Sequence, residues 1–200
     1  MLNPGIQWEK ETRQQGFNCI AGLDEVGMGC LAGPVVAAAV ILDLNKVPDG
    51  ITDSKLLSPK KRQLLKVQIE ESALDFAIGM ASVEEIDQIN IYHAARLAMK
   101  RAVEKLTLKP DYLLIDGRAK LDLSISQQAI VKGDQSCLSI GAASILAKVF
   151  RDQMMTDFDQ EYPGYEFAKH KGYGSVLHRQ HLQQKGPSPL HRKSFSWTPV

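Results

Sequence analysis

The chain has 200 residues, which is enough for one globular domain with a substantial core. Its net charge of +1 gives no overall reason to expect an anionic partner, and no apolar run is long enough to cross a bilayer. Residues 1–16 are polar and of mixed charge, unlike a secretory signal, so we expect a cytoplasmic protein that does not contact membranes. The three cysteines lie in apolar or helix-forming contexts, which favours reduced thiols and predicts that any metal is bound by oxygen.

The predicted elements of the first half begin with two strands, at residues 18–24 and 35–42, which are short and apolar enough to be buried. A loop over residues 45–58 follows. Ser58 then caps a helix that has Pro59 at its first position. The apolar stripe of this helix consists of Leu64, Leu65 and Ile69.

Strands and helices alternate in the second half. A strand at residues 74–81 leads into a longer helix, for which Ser82 and Glu85 form a capping box and Asn90 provides a further cap. The later elements are strands at 112–115 and 129–131, a helix from residue 136 to about 158, and a short helix that begins near Ser175. This order predicts an α/β sheet covered by helices.

Acidic residues follow several of these strands. Asp24 and Glu25 stand between the first strand and the glycine-rich turn Gly27-Met28-Gly29, Asp116 ends a later strand, and Asp134 precedes the long helix. Taken singly, each acid is also explained as a helix cap, an Asx-turn residue or an exposed charge. Because strand ends of an α/β sheet share one edge, we expect all four acids to converge there.

Converging carboxylates repel one another unless cations lie between them. The set therefore predicts hard divalent ions, Mg²⁺ or Mn²⁺, bound by carboxylate oxygens. Two such ions roughly 3.5–4 Å apart can activate a water and stabilise both the attacking and the leaving oxygen of a phosphate. Phosphate ester hydrolysis is thus the chemistry that the acids favour.

The C-terminal residues 168–200 are basic. They contain six lysines and arginines, four of the five histidines, and no acid. Such a segment is either a phosphate-facing surface or a solvated basic tail, and charge alone does not decide between the two. His178 and His181 have no third soft ligand nearby, which argues against a metal site there.

Six motifs follow one another along the chain from about Ile20 to Phe195. They are GLDEVGMGCLAGPVVAAAV, TDSKLLS, NIYHAARLAM, LLIDG, KGDQSCLSIGAASILAKVFRD and HKGYGSVLH. In this order they resemble the motifs of bacterial ribonuclease HII, a type 2 ribonuclease H. The resemblance implies that Asp24, Glu25, Asp116 and Asp134 are the catalytic metal ligands, in agreement with the set reached from the residues themselves.

The resemblance also implies a fold and a substrate. The fold is a ribonuclease H-like mixed sheet flanked by helices, one domain over residues 1–200, with residues 160–200 as a helical segment that covers the substrate groove. The substrate is the RNA strand of an RNA·DNA hybrid, or a ribonucleotide embedded in duplex DNA, cut to leave 3′-hydroxyl and 5′-phosphate ends. We expect a monomer.

Recognition of the ribonucleotide requires contact with its 2′-hydroxyl, which backbone groups in a glycine turn can approach closely. The resemblance gives this role to Gly27-Met28-Gly29, and it gives Tyr173 the role of stacking on the sugar. Lys55, Lys171 and Arg192 are candidate phosphate contacts, although Lys55 and Arg192 are equally explained as solvated charges. Where the family has arginine this chain has Met28, so a cation beside the cleavage site is missing.

Two other functions fit parts of the sequence. A type 3 ribonuclease H shares the acids but usually carries an added N-terminal domain, whereas only about twenty residues precede Ile20 here. A non-catalytic module that binds RNA·DNA hybrids would not need all four acids. Contact of the tail Ser194–Val200 with a replication clamp, through Phe195 and Trp197, has no support in the sequence.

Overall fold

The computed structural model describes residues 4–118 and 120–196. Its helices and strands, in chain order, are α1 (Gln7–Gln14), β1 (Ile20–Val26), β2 (Val35–Leu42), α2 (Pro59–Ser72), β3 (Ala73–Ala81), α3 (Val83–Lys105), β4 (Tyr112–Asp116), β5 (Ser126–Ile130), α4 (Leu138–Glu161), α5 (Phe167–His170) and α6 (Val176–Lys185). Short 3₁₀ helices at Ser54–Leu56 and Gly133–Gln135 precede α2 and α4. No helix within these residues has the length and apolarity needed to span a membrane.

The five strands form one sheet in the order β3-β2-β1-β4-β5. β1 pairs antiparallel with β2 and parallel with β4, and β4 pairs parallel with β5. The predicted mixed α/β sheet is therefore confirmed, with β1 in its centre. Because β1 and β4 are parallel neighbours, residues at their C-terminal ends lie side by side.

Helices cover both faces of the sheet. The sequence of β2, VVAAAVIL, is apolar at every position because both of its faces are buried. Val35, Ala37 and Ala39 belong to the core under α3, whereas Val36, Ala38 and Val40 belong to the core under α2 and α4. The alternation of strand side chains thus divides the interior into two cores.

Glycines let two helices lie very close to the strands. A Cβ on Gly22 of β1 would lie 2.2 Å from the backbone carbon of Ser139 in α4, and one on Gly79 of β3 would lie 2.1 Å from the carbonyl oxygen of Ala98 in α3. Only glycine fits at either position. The first contact places α4 directly against the part of β1 that carries the acidic pair.

The N-terminus of α4 is capped by a distant residue. Its N-cap residue, Cys137, provides no side-chain cap, and Glu9 of α1 does so instead. Glu9 Oε1 accepts hydrogen bonds from the Ser139 nitrogen at 2.9 Å and the Ser139 hydroxyl at 2.7 Å. The sequence pattern did not predict α1, so this long-range cap could not be expected.

Several strand boundaries differ from the prediction, and two of the differences follow from pairing with a neighbouring strand. β1 continues past Asp24 to Val26, because Asp24 and Glu25 pair with Ala38 and Ala37 of β2. β5 begins at Ser126, where its parallel pairing with β4 starts, rather than at residue 129. In both cases the neighbouring strand, not the local sequence, sets the boundary.

The predicted helix starts are largely correct. Ser58 and Ser82 cap α2 and α3, and Ser82 with Glu85 forms the capping box. Asn90 has φ of 64°, breaks α3, and its Oδ1 accepts from the nitrogen of Tyr92 at 3.0 Å, so it caps the second part of that helix. Leu64 is an exception, because it is 51% exposed and only Leu65 and Ile69 of the predicted stripe are buried.

Candidate active site

The four acids come from three elements at one edge of the sheet. Asp24 and Glu25 lie in β1, and Asp116 ends β4, the parallel neighbour of β1. Asp134 lies in the 3₁₀ turn before α4, whose Gly133 nitrogen donates to Asp116 Oδ1 at 2.7 Å. That bond joins the Asp134 turn to β4. The sheet register and this turn therefore bring all four acids to the same region.

Mutual repulsion and burial shape the protonation of these acids. Asp24 is only 5% exposed, and burial together with the charges of Glu25 and Asp116 raises its pKa well above the usual range. Burial and the charge of Asp116 raise the pKa of Glu25 to about 7 and that of Asp134 to about 6. A cation at this position would relieve the repulsion that raises these pKa values.

The donor chemistry suits a hard divalent ion. In the described part of the chain, no three His, Cys, Asp or Glu side chains are gathered tightly enough to hold an ion by themselves. Mg²⁺ does not require such a cage, because it usually keeps several waters and takes only one or two carboxylates together with substrate phosphate oxygens. The four carboxylates fit ions of this kind.

A cleft of about 510 Å³ opens over the acidic pair, and we call it the acid cleft. Its lining includes seven residues named from the sequence as site candidates: Asp24, Glu25, Gly27, Met28, Gly29, Lys55 and Tyr173. The positive charge of Lys55 opposes the upward pKa shifts of Glu25 and Asp134, which places it near both carboxylates. The structure thus gathers two of the acids, the glycine turn, one lysine and the tyrosine.

The turn after β1 requires glycine at its first position. Gly27 has φ of +97°, and a Cβ there would lie 2.4 Å from Arg151 Nε. A Cβ on Gly29 would meet no atom within 4 Å. Met28 lies between them, half-buried, with its side chain packed against the core under α3. The turn therefore presents backbone at Gly29 and an apolar side chain at Met28.

Tyr173 faces the acid cleft from the C-terminal segment. Its ring is 38% exposed, and Lys148 Nζ lies 5.4 Å from the ring centroid. The backbone of Tyr173 forms an antiparallel bridge with Cys30, and burial raises the pKa of its phenol to about 12. The ring is thus held at the cleft with its hydroxyl neutral.

Arg192 corrects the sequence prediction. It was a candidate phosphate contact, but its side chain is 0% exposed. Its guanidinium donates to the carbonyl oxygens of Gly27 at 2.7 Å, Met28 at 2.9 Å and Gly33 at 2.8 Å. A group buried in this way cannot contact phosphate, and it instead holds the turn that follows the acids.

Lys171 lies beside the acid cleft, and its role as a phosphate contact stays a prediction. It lines a groove next to the acid cleft rather than the cleft itself. Its Nζ donates to the Thr156 hydroxyl at 2.6 Å, and burial lowers its pKa. Its carbonyl oxygen accepts from Arg151 Nη1 at 2.8 Å. These contacts tie Lys171 to the scaffold around the C-terminal segment.

The histidines of the basic C-terminal region are mostly internal. His170, His178 and His191, the histidine cluster, are buried, and His170 stacks on His178 with ring centroids 4.0 Å apart. Burial lowers the pKa of His178 and of His191 to about 4. The cluster is therefore neutral near pH 7. It contributes no positive charge to a phosphate-facing surface.

Several residues of the cleft were not found from the sequence. They are Ser54, Arg62, Ser144 and Lys148, and the buried Arg151 lies directly behind the glycine turn. Ser144, Lys148 and Arg151 occupy positions i, i+4 and i+7 of α4, so they share one face of the helix. That helical spacing of three polar residues could have been recognised in the sequence. For Ser54 and Arg62 the sequence offers none.

A model of the family described as ribonuclease HII matches residues 21–198. The chain belongs to the ribonuclease HII family. Ribonuclease HII of Dehalococcoides mccartyi is 52% identical over 98% of this chain and 94% of its own length. Ribonuclease HII of Bacillus pumilus is 52% identical over 96% of this chain and 75% of its own length. As a ribonuclease HII, the chain is a metal-dependent endoribonuclease with ribonuclease H activity.

Solved structures share the ribonuclease HII fold. The ribonuclease H2 of Pyrococcus horikoshii superposes with a TM-score of 0.76 at 24% identity, covering 90% of this chain and 95% of that one. The Archaeoglobus fulgidus RNase HII, solved in complex with PCNA, superposes with a TM-score of 0.75 at 23% identity. The match covers 90% of this chain and 96% of that one. Bst-RNase HIII in complex with Mn²⁺ superposes with a TM-score of 0.66 at 18% identity. The match covers 92% of this chain and 69% of that one. These similarities support the predicted fold.

The clamp contact, which has no support in the sequence, concerns a tail of which the structure describes only residues 194–196. Phe195 packs against Arg192, whose Cζ lies 5.0 Å from the ring centroid of Phe195. Trp197, the other aromatic residue of that prediction, lies outside the described residues. The contact stays a prediction.

Proposed function

We propose that this chain cleaves the RNA strand of RNA·DNA hybrids and cuts on the 5′ side of single ribonucleotides in duplex DNA. Hydrolysis leaves 3′-hydroxyl and 5′-phosphate ends. One observation carries the proposal: two of the acids share a single cleft with the Gly27–Gly29 turn and Tyr173. The phosphate chemistry and the means to inspect the adjacent sugar are therefore side by side.

The hydrolytic part assigns a role to each acid. Asp24, Glu25, Asp116 and Asp134 would hold two divalent ions, which when bound activate a water and stabilise the leaving oxygen. Burial and repulsion raise the pKa of Glu25 to about 7, and a bound cation would lower that pKa and favour the ionised carboxylate. The Mn²⁺ complex of Bst-RNase HIII supports divalent metal binding on this fold.

Basic side chains surround the acids and would hold the substrate phosphates. Lys55, Arg62 and Lys148 line the acid cleft. Arg62 and Lys148 also line the adjoining groove, so the positive surface continues past the acids. Such contacts position a duplex without reading its sequence. We further propose that the C-terminal segment from residue 160 covers this path, because Tyr173 projects from it into the cleft.

Selection of the ribonucleotide depends on the glycine turn and the tyrosine. Gly29 has open space at its Cα, so the backbone there can approach a 2′-hydroxyl closely. The Tyr173 ring, exposed on the cleft side, would stack on the sugar at the junction between RNA and DNA. A deoxynucleotide lacks the hydroxyl that these groups address.

The experiment compares three duplexes of equal length: an RNA·DNA hybrid, a DNA duplex with one ribonucleotide, and an all-DNA duplex. Each is incubated with the protein in Mg²⁺, in Mn²⁺ and in EDTA, and the product ends are mapped. We expect cleavage of the first two with metal, with a single cut 5′ to the lone ribonucleotide. Cleavage of the hybrid alone would indicate the type 3 activity, and binding without cleavage would indicate a non-catalytic module.

A further inference from the structure

A second groove, of about 240 Å³, opens from the acids on the α3 side, and we call it the α3 groove. Glu25, Met28 and Asp116 line its inner end, and Tyr92, Arg96 and Arg118 line its outer part. Because Glu25 and Met28 also line the acid cleft, the two spaces are adjacent. A strand that leaves the acid cleft on this side enters the α3 groove.

The aromatic wall of the α3 groove is set by the break in α3. Asn90 Oδ1 accepts from the nitrogens of Tyr92 at 3.0 Å and His93 at 3.3 Å, which fixes the first turn after the break. Tyr92 and Arg96 are four residues apart and therefore share one side of the helix. The Tyr92 side chain is 70% exposed. Folding thus leaves a large ring in solvent beside the groove.

The charges of the α3 groove complement a nucleic acid. Arg96 and Arg118 are exposed, and within the described chain neither guanidinium forms an ion pair or a side-chain hydrogen bond. The acids of the groove are Glu25 and Asp116, which belong to the proposed metal site. The outer part of the groove, away from these acids, carries two free positive charges and an aromatic face, which suit phosphates and bases.

We propose that Tyr92, Arg96 and Arg118 form a subsite for the part of the duplex that flanks the cleaved phosphate on the α3 side. The two guanidiniums contact backbone phosphates, and the Tyr92 ring packs against a sugar or base of the same strand. Met28 supplies no cation at the mouth of this groove, so the positive charge comes from Arg96 of α3 and from Arg118, two residues after β4. The assignment rests on the proposed function and extends it from the cleaved nucleotide to its flank.

Binding without cleavage tests this subsite. Dissociation constants are measured by fluorescence anisotropy in EDTA for Arg96→Ala, Arg118→Ala and Tyr92→Ala. The matched control is Arg13→Ala, which removes the same charge from an exposed residue at the other end of the strands. The probes are a long duplex with one central ribonucleotide and two shortened duplexes, each lacking the base pairs beyond one side of that ribonucleotide.

On the long duplex, we expect about tenfold weaker binding for each variant and parent-like binding for Arg13→Ala. The plot of log affinity against log salt concentration should also become less steep by about 0.9 in each arginine variant, because one phosphate contact is lost. On one of the two shortened duplexes, parent and variants bind equally, because the flank that they contact is absent.

Binding of the long duplex equal to the Arg13→Ala control would overturn the subsite. So would a defect of the same size on both shortened duplexes, because that indicates a general loss of charge rather than a flank contact. Failure of the proposed function is a separate result: the parent itself would then not cleave the long duplex when Mg²⁺ is added.

Discussion

Arg192 Nη2 donates a hydrogen bond of 2.7 Å to the carbonyl oxygen of Gly27, the first residue of the turn that follows the acidic pair. The same guanidinium reaches the carbonyls of Met28 and Gly33, and Arg151 binds those of Ala32 and Pro34. Two buried cations therefore hold the loop between β1 and β2 through its own carbonyl groups. The position of the glycine turn depends on residues far away in the sequence.

Replacing Arg192 by lysine should loosen this turn. One ammonium group cannot span three carbonyls, and each buried carbonyl left unpaired costs about 1–3 kcal/mol. We expect Arg192→Lys to lower the free energy of unfolding by about 2–4 kcal/mol in urea titrations. The KM for the duplex with one ribonucleotide should rise more than kcat falls.

The control for that experiment is Lys193→Ala, a change at the neighbouring exposed residue. A purely structural role for Arg192 would lower stability and leave KM of the folded enzyme unchanged. Added guanidinium ion should partly restore KM in Arg192→Ala, because the ion can occupy the vacated position. Absence of both the KM effect and the rescue would remove Arg192 from turn positioning.

Tyr173 should act through its ring. Tyr173→Phe keeps the aromatic face over the cleft, whereas Tyr173→Ala removes it together with the contact to Lys148. We expect the phenylalanine variant to retain most cleavage of the embedded ribonucleotide and the alanine variant to lose about tenfold or more. Steady-state cleavage in Mg²⁺ measures both. Equal activity of the alanine variant and the parent would assign Tyr173 a structural role only.

Met28 offers a gain-of-function test. An arginine at this position would add a charge-assisted hydrogen bond worth about 1.5–3 kcal/mol, or about one to two powers of ten in affinity. Met28→Arg should therefore lower KM at moderate salt and steepen the loss of binding as salt rises. Met28→Leu, which keeps the apolar packing, is the control. Parent-like affinity and salt slope in the arginine variant would mean that position 28 points away from the substrate.

The histidine cluster predicts a loss of stability in acid. His191 Nδ1 accepts from the Ser188 nitrogen at 2.9 Å, so its Nε2 carries the proton and donates to His178 Nε2 at 3.0 Å. His178 then donates through Nδ1 to the Tyr173 carbonyl at 2.9 Å. Adding a proton to His178 would set two N–H groups against each other, and burial keeps its pKa at about 4.

Because the unfolded chain binds these protons near pH 6.5 and the folded chain only near pH 4, stability falls as the pH drops between those values. The slope is at most about 1.4 kcal/mol per pH unit for each histidine. Melting temperatures measured at pH 7.5 and pH 5 should show a smaller loss for His178→Gln than for the exposed-site control His93→Gln. An equal loss in both variants would contradict the prediction.

The sequence predicted the features that depend on local pattern. The β2 core strand, the serine caps of α2 and α3, and the four acids follow from apolar runs, capping residues and strand ends. The end of β1 was wrong by two residues because pairing with β2, rather than the composition of β1, determines it. Local signals therefore predicted which elements form but not where they end.

Burial of charge was the main feature that the sequence could not predict. Arg192 was taken for a phosphate contact because a basic segment is indistinguishable, residue by residue, from a basic surface. Whether an arginine faces solvent depends on whether distant backbone carbonyls need a hydrogen-bond donor. Here the carbonyls of the Gly27–Pro34 loop need donors, and buried arginines supply them. Lys148 was missed because it is a single charged residue in the apolar first half of α4.

The proposed hydrolysis requires that the four acids hold the metal ions at which the phosphate is cut. The most direct test is the cleavage rate of Asp24→Asn and Asp116→Asn in Mg²⁺, with Asp49→Asn in an exposed loop as control. Each replacement keeps the side-chain shape and removes one negative charge, so duplex binding in EDTA should be at least as tight as in the parent. The cleavage rate should fall about a hundredfold or more, and the metal-free melting temperature of Asp24→Asn should rise. Near-parent cleavage by either variant would contradict the assignment of that acid.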